Sequence, residues 1–159
     1  MNKRENIVID IDDIEDIYNQ YNKNELNDDL ANYIEKRCSR LMKNKVDITF
    51  VTNEELNDIE KNKINDLVRS HYELEIKYLN IDVKKIKTAN TVYLIAGILI
   101  IIIEMILKDF FLISTVIDIL GWVLIWESVF NLLFTDNELD IKLSRAKKIL
   151  NSNITFEKK

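Results

Sequence analysis

The chain has 159 residues, enough for one compact unit but not for two independent domains and a membrane part. It carries 22 Lys and Arg against 27 Asp and Glu, and this net charge of −5 argues against a nucleic-acid partner, whose phosphates require a basic surface. Cys38 is the single cysteine, so there is neither a disulfide framework nor a cysteine-type metal site, and a lone thiol suits a reducing cytoplasm.

A mean hydropathy of −0.11 with 31% charged residues reads as soluble, but the average hides a segregation. Residues 1–90 and 135–159 hold almost all the charge, while residues 91–134 are dense in Ile, Leu, Val and Phe. The opening MNKRENIVIDIDD turns acidic soon after Arg4 and has no apolar core of about 7–15 residues, so no signal peptide is expected.

In chain order, Asn6–Ile11 alternates and is rich in β-branched residues, which predicts a short strand. Asp12 or Asp13 is placed to cap a short helix to Tyr21, with Ile14, Ile17, Tyr18 and Tyr21 on one face. Asn24 is placed to cap a second helix, Glu25–Lys43, with Leu26, Leu30, Ile34 and Leu41 inward, and Asn44 serves the following turn. Val46–Val51 predicts a second strand. Thr52 or Asn53, followed by Glu54 and Glu55, signals the start of a long helix that nothing interrupts before the first apolar span.

Along that helix Ile64, Leu67, His71, Leu74, Tyr78 and Ile81 keep a 3–4 spacing, a candidate seam for self-association. A second stripe, Ile76, Leu79, Val83 and Ile86, widens the apolar surface, so that one stripe could pack on the domain's own sheet and the other on a sister subunit. His71 is the only histidine and is assigned to packing rather than to a ligand or pH sensor.

Ala89–Leu107 contains one charge, Glu104, and at 1.5 Å per residue it nearly spans a hydrocarbon core of about 30 Å. Lys108 and Asp109 interrupt it, and Phe110–Phe134 is long enough to cross with some tilt. The expected architecture is a membrane α-helical hairpin, with spans at 89–107 and 110–134, plus a small cytoplasmic α+β domain. Residues 1–88 and 135–159 contribute to that domain. Lys77, Lys84, Lys85 and Lys87 precede the first span, and Lys142, Arg145, Lys147 and Lys148 follow the second, whereas the connecting loop offers Lys108. This bias places both termini in the cytoplasm and the protein in the plasma (inner) membrane.

If the hairpin folds about Asp109, residues whose numbers sum to about 218 share a depth. Gly97 then meets Gly121, Asn90 meets Ser128, and Glu104 meets Ser114. Seven-residue spacing of small and polar residues is the pattern of a close-packed, left-handed membrane helix pair. The same register puts Glu104 near the outer turn and Glu127 near the inner interface, where snorkelling accounts for it. Asp118 lies nine residues past Asp109, about 14 Å deep and close to the midplane. An acid there points either to an ion or proton path or to a structural hydrogen bond with Thr115, Ser114 or a neighbouring subunit. Trp122 reads as packing and Trp126 as an interfacial belt residue.

Asp136 or Asn137 is placed to cap a last helix, with Leu139, Leu143, Ala146 and Leu150 inward, and Asn153–Glu157 ends the chain as a third strand. Asp47–Phe50 (DITF) and Asn153–Phe156 (NITF) are near copies, which predicts neighbouring strands in a three-stranded sheet built from both chain ends.

Gly121-Trp122-Val-Leu-Ile-Trp126-Glu127-Ser128, followed through Arg145 by Ile154-Thr155-Phe156, resembles an uncharacterised group of small bacterial two-span membrane proteins with a GWV-x-x-WE second span and an Ile-x-Phe ending. The resemblance covers most of the chain and implies a shared architecture with no assigned activity. Calcium-uniporter pores also pair a hairpin with Trp and an acid, but Trp126-Glu127-Ser128 lacks their W-D-x-x-E-P motif, so that function is not carried over.

No phosphate-binding loop, metal-ligand cluster or nucleophile triad is present in the sequence, and neither an enzyme nor a cofactor is expected. The acids at Asp10–Asp16 and Glu54–Glu60 read as solvated caps. Two functions remain: a membrane-anchored scaffold or regulator that recruits a cytoplasmic protein, and a homo-oligomeric channel or membrane-perturbing effector with Asp118 on its path. Partners are therefore the lipid bilayer, further copies of the chain, and a cytoplasmic protein.

Overall fold

The computed structural model describes residues 4–41, 45–107 and 111–159. Their order is β1 (Arg4–Ile11), a 3-10 turn (Ile14–Ile17), α1 (Asp28–Arg40), β2 (Lys45–Thr52), α2 (Asp58–Ile106), α3 (Phe111–Phe130), a π-helical turn (Asn131–Thr135), α4 (Asp136–Leu150) and β3 (Ile154–Lys158). The chain divides into two units, Met1–Tyr78 with Leu143–Lys159, and Leu79–Lys142. The division falls within α2 and α4 rather than at the predicted edges of the apolar segment.

The first unit is built on a three-stranded sheet in the order β1-β2-β3 with both pairings parallel. Ile48, Thr49 and Phe50 sit opposite Ile154, Thr155 and Phe156, so the two near-identical segments lie side by side, like against like. The Phe50 and Phe156 rings stack at 5.6 Å, and the Thr49 and Thr155 hydroxyls are 2.8 Å apart. The Ile48 N–H donates to the Asn153 carbonyl at 2.9 Å, extending the match one residue earlier. Parallel strands in this register superpose equal side chains, which favours stacking and hydroxyl bonds between them.

Alternation decides the faces. Ile7, Ile9 and Ile11 of β1 and Val46, Ile48 and Phe50 of β2 turn to the core. There they join Ala31, Ile34 and Cys38 of α1, Ile64, Leu67, Val68 and Tyr72 of α2, and Ala146 and Ile149 of α4. The opposite face is polar at its centre: Asn6 Nδ2 donates to Thr49 Oγ1 at 2.9 Å, and Thr49 contacts Thr155.

Several predicted helix ends move. Asp13 does cap, but only a four-residue 3-10 turn, because Tyr18 next forms an antiparallel bridge with Leu26. Tyr21 is consequently 89% exposed rather than inward. That bridge also removes Leu26 from the second helix, which begins at Asp28 with Asn27 as its cap. Leu26 stays buried as predicted, on the bridge instead of a helix. Asn44 and Lys43 lie outside the described residues.

The long helix starts at Asp58, not after Thr52 or Asn53. Thr52 is the last residue of β2, and Asn57 forms the reciprocal box with Glu60: Glu60 N–H donates to Asn57 Oδ1, and Asn57 N–H to Glu60 Oε2, both at 2.9 Å. From there α2 runs unbroken to Ile106, as the absence of helix breakers predicts. At the other end a π-helical turn joins α3 directly to α4, and the side chain of Asp136, the predicted cap, lies outside what is described. Within α4 the buried positions are Ala146 and Ile149, with Leu139, Leu143 and Leu150 half-buried.

Ile48 is fully buried and pairs on both sides, with Ile7 and Ile154. Ile48→Ala should lower the unfolding free energy by about 2–4 kcal/mol, read as a shift in thermal unfolding followed by circular dichroism. Thr155→Val, which removes one exposed-face hydroxyl, should cost under about 1.5 kcal/mol.

Candidate functional site

In the second unit, small residues let α2 and α3 approach closely. A Cβ built on Gly97 would stand 2.7 Å from Ile125 Cγ1 and 2.9 Å from the Gly121 carbonyl oxygen. On Gly121 it would stand 2.8 Å from Ile101 Cγ1 and 3.3 Å from the Gly97 carbonyl oxygen. One level away, Ser128 Oγ donates to the Asn90 carbonyl at 3.0 Å. Asn90, Gly97, Ser114, Gly121 and Ser128 are all buried, at seven-residue steps on each helix, and Glu104 is half-buried on the same stripe. The connecting residues Lys108, Asp109 and Phe110 lie outside the described residues.

The seam carries one unsatisfied group. Asn90 is 7% exposed, yet neither its Nδ2 nor its Oδ1 makes a hydrogen bond. An orphan amide at that burial opposes stability, so the close approach is upheld by packing and not by this side chain.

The remaining acids occupy different settings. Asp118 is half-buried at the border of the stripe, with no hydrogen-bond or ion-pair partner for its carboxylate among the described residues. Glu127 is exposed and accepts from Asn131 Nδ2 at 3.3 Å. Asn131 opens the π-helical turn and its Oδ1 also accepts from Thr135 Oγ1 at 3.2 Å, so Glu127, Asn131 and Thr135 form a short chain of polar contacts across it. Such turns concentrate at functional positions, and no periodicity in the sequence announces this one.

The candidate seam along α2 is divided by the fold. Ile64 and Leu67 are buried in the chain's own core and unavailable to a sister subunit. His71 is half-buried, and Leu74, Tyr78 and Ile81 are exposed. The second stripe, Ile76, Leu79, Val83 and Ile86, is half-buried throughout.

One turn beyond His71 lies a group that the sequence reading passes over. Glu75 Oε2 is buried without a hydrogen bond. Burial pushes its carboxyl up to about 7; the charge of Glu35 on α1 acts in the same direction, and Arg145 on α4 opposes it. Neighbouring Tyr72 is buried, which raises its phenol, and its hydroxyl donates to the Ala31 carbonyl at 3.3 Å. Burial lowers the His71 imidazole, against the pull of Glu35, Asp28 and Glu25. The Glu75 setting could be found only from the fold, because α1 and α4 supply its surroundings. Among the described residues no cluster of three or more His, Cys, Asp or Glu could hold a metal ion.

No protein-family description, characterised protein or solved structure shows significant similarity to the chain.

Two predictions follow from these contacts. At both glycines the nearest atom is an isoleucine side chain that can turn aside, but the facing carbonyl oxygen, which cannot, is 2.9 Å from an added methyl at Gly97 and 3.3 Å at Gly121. Gly97→Ala should therefore loosen the helix pair more than Gly121→Ala, by about 1–3 kcal/mol against under about 1 kcal/mol, measured by unfolding in a detergent titration. The reverse order would refute the packing described. For Glu75, the unfolded carboxyl ionises near 4.5 but the folded one only near 7. The folded state holds the extra proton between those values, so stability falls as pH rises through that window. Glu75→Gln should flatten the slope, raising stability by about 1 kcal/mol at pH 8 and little at pH 5, as denaturant unfolding at the two pH values will show.

Proposed function

We propose that this is a membrane-anchored scaffold or regulatory protein, whose helix pair lies in a bilayer and whose α+β unit faces the cytoplasm to engage a protein partner. The observation that carries the reading is the outer surface of the helix pair. Ile95, Leu99, Ile103, Ile106, Val116 and Leu120 stand 47–76% exposed with their like on every outward side. Both helices are long and apolar enough to cross a membrane. A water-exposed apolar surface this continuous is far outside what soluble monomers tolerate, and lipid satisfies it without any further contact. Trp126, exposed near the polar turn at Asn131, suits the interfacial level.

The basic residues flanking the two spans support a cytoplasmic location for both chain ends. The exposed charge of the polar α+β unit suits recruitment of a protein partner.

Asp118 favours a second reading, a homo-oligomeric channel. Its half-buried, unpartnered carboxylate at mid-span is costly in lipid and would be relieved by a water-filled path between subunits. Two helices enclose no pore, so this reading requires about four or more copies.

After expression of the full chain, alkaline carbonate washing should leave it in the membrane pellet; release to the supernatant refutes the anchor. A Lys108→Cys variant should react with an impermeant maleimide on intact cells, and a Ser144→Cys variant only after lysis. In proteoliposomes, the scaffold reading expects equal ion flux for wild type and Asp118→Asn. A loss of flux, or a shift in its pH dependence, would move the assignment to the channel.

A further inference from the structure

β1 is an edge strand, paired with β2 on one side only, and such an edge offers unpaired N–H and C=O groups to another chain. Two clefts meet along it. One, of about 340 Å³, is lined by Asn6, Ile7 and Val8 of β1 and by Arg37, Arg40 and Leu41 at the end of α1. The other, of about 520 Å³, runs from Val8 to Asp12, with Asp16, Asp29 and Tyr33 opposite. Successive side chains of a strand point to opposite faces, so a cleft that touches consecutive residues lies against the edge itself. Together the clefts follow β1 from end to end, with α1 as the outer wall.

This groove is polar in the electrical sense. At the start of β1 stand Arg37 and Arg40, both exposed; Arg37 is held over the Tyr33 ring at 5.1 Å and donates from Nε to Tyr33 Oη at 3.0 Å. At the far end Asp10, Asp12, Asp16 and Asp29 are all exposed. That end already receives a cation, since Lys159 Nζ pairs with both Asp10 and Asp12. β1 runs in the same order, with Arg4 at its start, beside Glu5 and ion-paired with Asp47 of β2 at 3.4 Å, and Asp10 and Asp12 at and beyond its end.

We propose that a second copy of this chain adds its own β1, antiparallel, to the edge of the first, across a two-fold axis close to Val8. In this arrangement the second copy's acidic strand end comes beside Arg37 and Arg40, and its Arg4 comes beside the acids. Parallel addition would set like charges together. Val8, 54% exposed at the midpoint, meets its twin. The same two-fold opposes the acidic first turn of α1, Asp28 and Asp29, to its basic last turn, Arg37 and Arg40. The contact is isologous and closes on itself, giving a six-stranded sheet and a dimer. Its warrant is self-complementarity: the acidic end of the strand meets the Arg37 and Arg40 end of the groove that it would enter. It stands independently of where the helix pair resides.

The test uses the full chain in detergent or nanodiscs. Val8→Cys should give a disulfide-linked dimer on mild copper-catalysed oxidation. Wild type should not, because Cys38 is 1% exposed, and neither should Glu157→Cys on β3, at the other edge of the sheet. Arg37→Glu with Arg40→Glu should weaken dimerisation about tenfold or more by native mass spectrometry, and adding Asp10→Lys with Asp12→Lys should restore it. These charges are exposed, so the reversals decide the matter even if Val8→Cys folds poorly. A monomeric wild type, equal cross-linking through Glu157→Cys, or reversal without effect overturns the proposal.

Discussion

The pairing of β2 with β3 is the constraint on which the architecture turns. Parallel neighbours cannot be joined by a tight turn, and the chain between these two consists of α2, α3, the π-helical turn and α4. The whole apolar segment is therefore inserted into one crossover connection. Whatever leaves the sheet after Thr52 must come back to it at Ile154, so the residues on either side of the apolar segment belong to the same unit. This follows from hydrogen bonding in the sheet alone, and it matches the basic residues found on both flanks.

Within the insertion, two kinds of surface are kept apart. The inward stripe is made of side chains small enough for backbone to touch backbone, as the Gly97 and Gly121 contacts show. The outward surface is made of Ile, Leu, Val and Phe with little cover. In the bilayer proposed for this pair, apolar burial would offer no drive to hold two helices together, so contact distance would carry the association, and small residues at a seven-residue step are how that distance is obtained. In the other unit the roles reverse, with large apolar side chains inward and charge outward. Glu75 and Asn90 are the exceptions on either side, each a buried polar group that its own surroundings leave without a hydrogen bond.

Legibility in the sequence followed the range of the interactions. The strands were readable because alternation is local, and the β2–β3 neighbourhood because Asp47–Phe50 and Asn153–Phe156 repeat. The seam was readable because one fold-back point relates every pair along two regular helices, so Asn90, Gly97, Gly121 and Ser128 could be placed from numbers alone. Helix starts were less so: with Thr52, Asn53 and Asn57 all able to cap, the choice depended on how far β2 extended. Ile64 and Leu67 were assigned to a surface seam because periodicity cannot distinguish a stripe that meets the chain's own sheet from one that meets another subunit. The direction of the pairings was not predicted; both are parallel, as the helices between the strands allow. Glu75 and the groove beside β1 had no local signature, since each is assembled from separate elements.

The backbone adds a final consequence. No described residue has a positive φ, the sequence contains no proline, and its two glycines both serve the helix contact, where what matters is the missing Cβ. Turns elsewhere, at Asn19–Asn24 for example, are held by Asn side chains at ordinary torsions. A chain with so little glycine explores fewer conformations when unfolded than one of average composition, about 7% glycine. The absence of proline, about 5% of an average chain, acts in the opposite sense by freeing the unfolded backbone, so the two departures offset each other in the entropy that folding gives up.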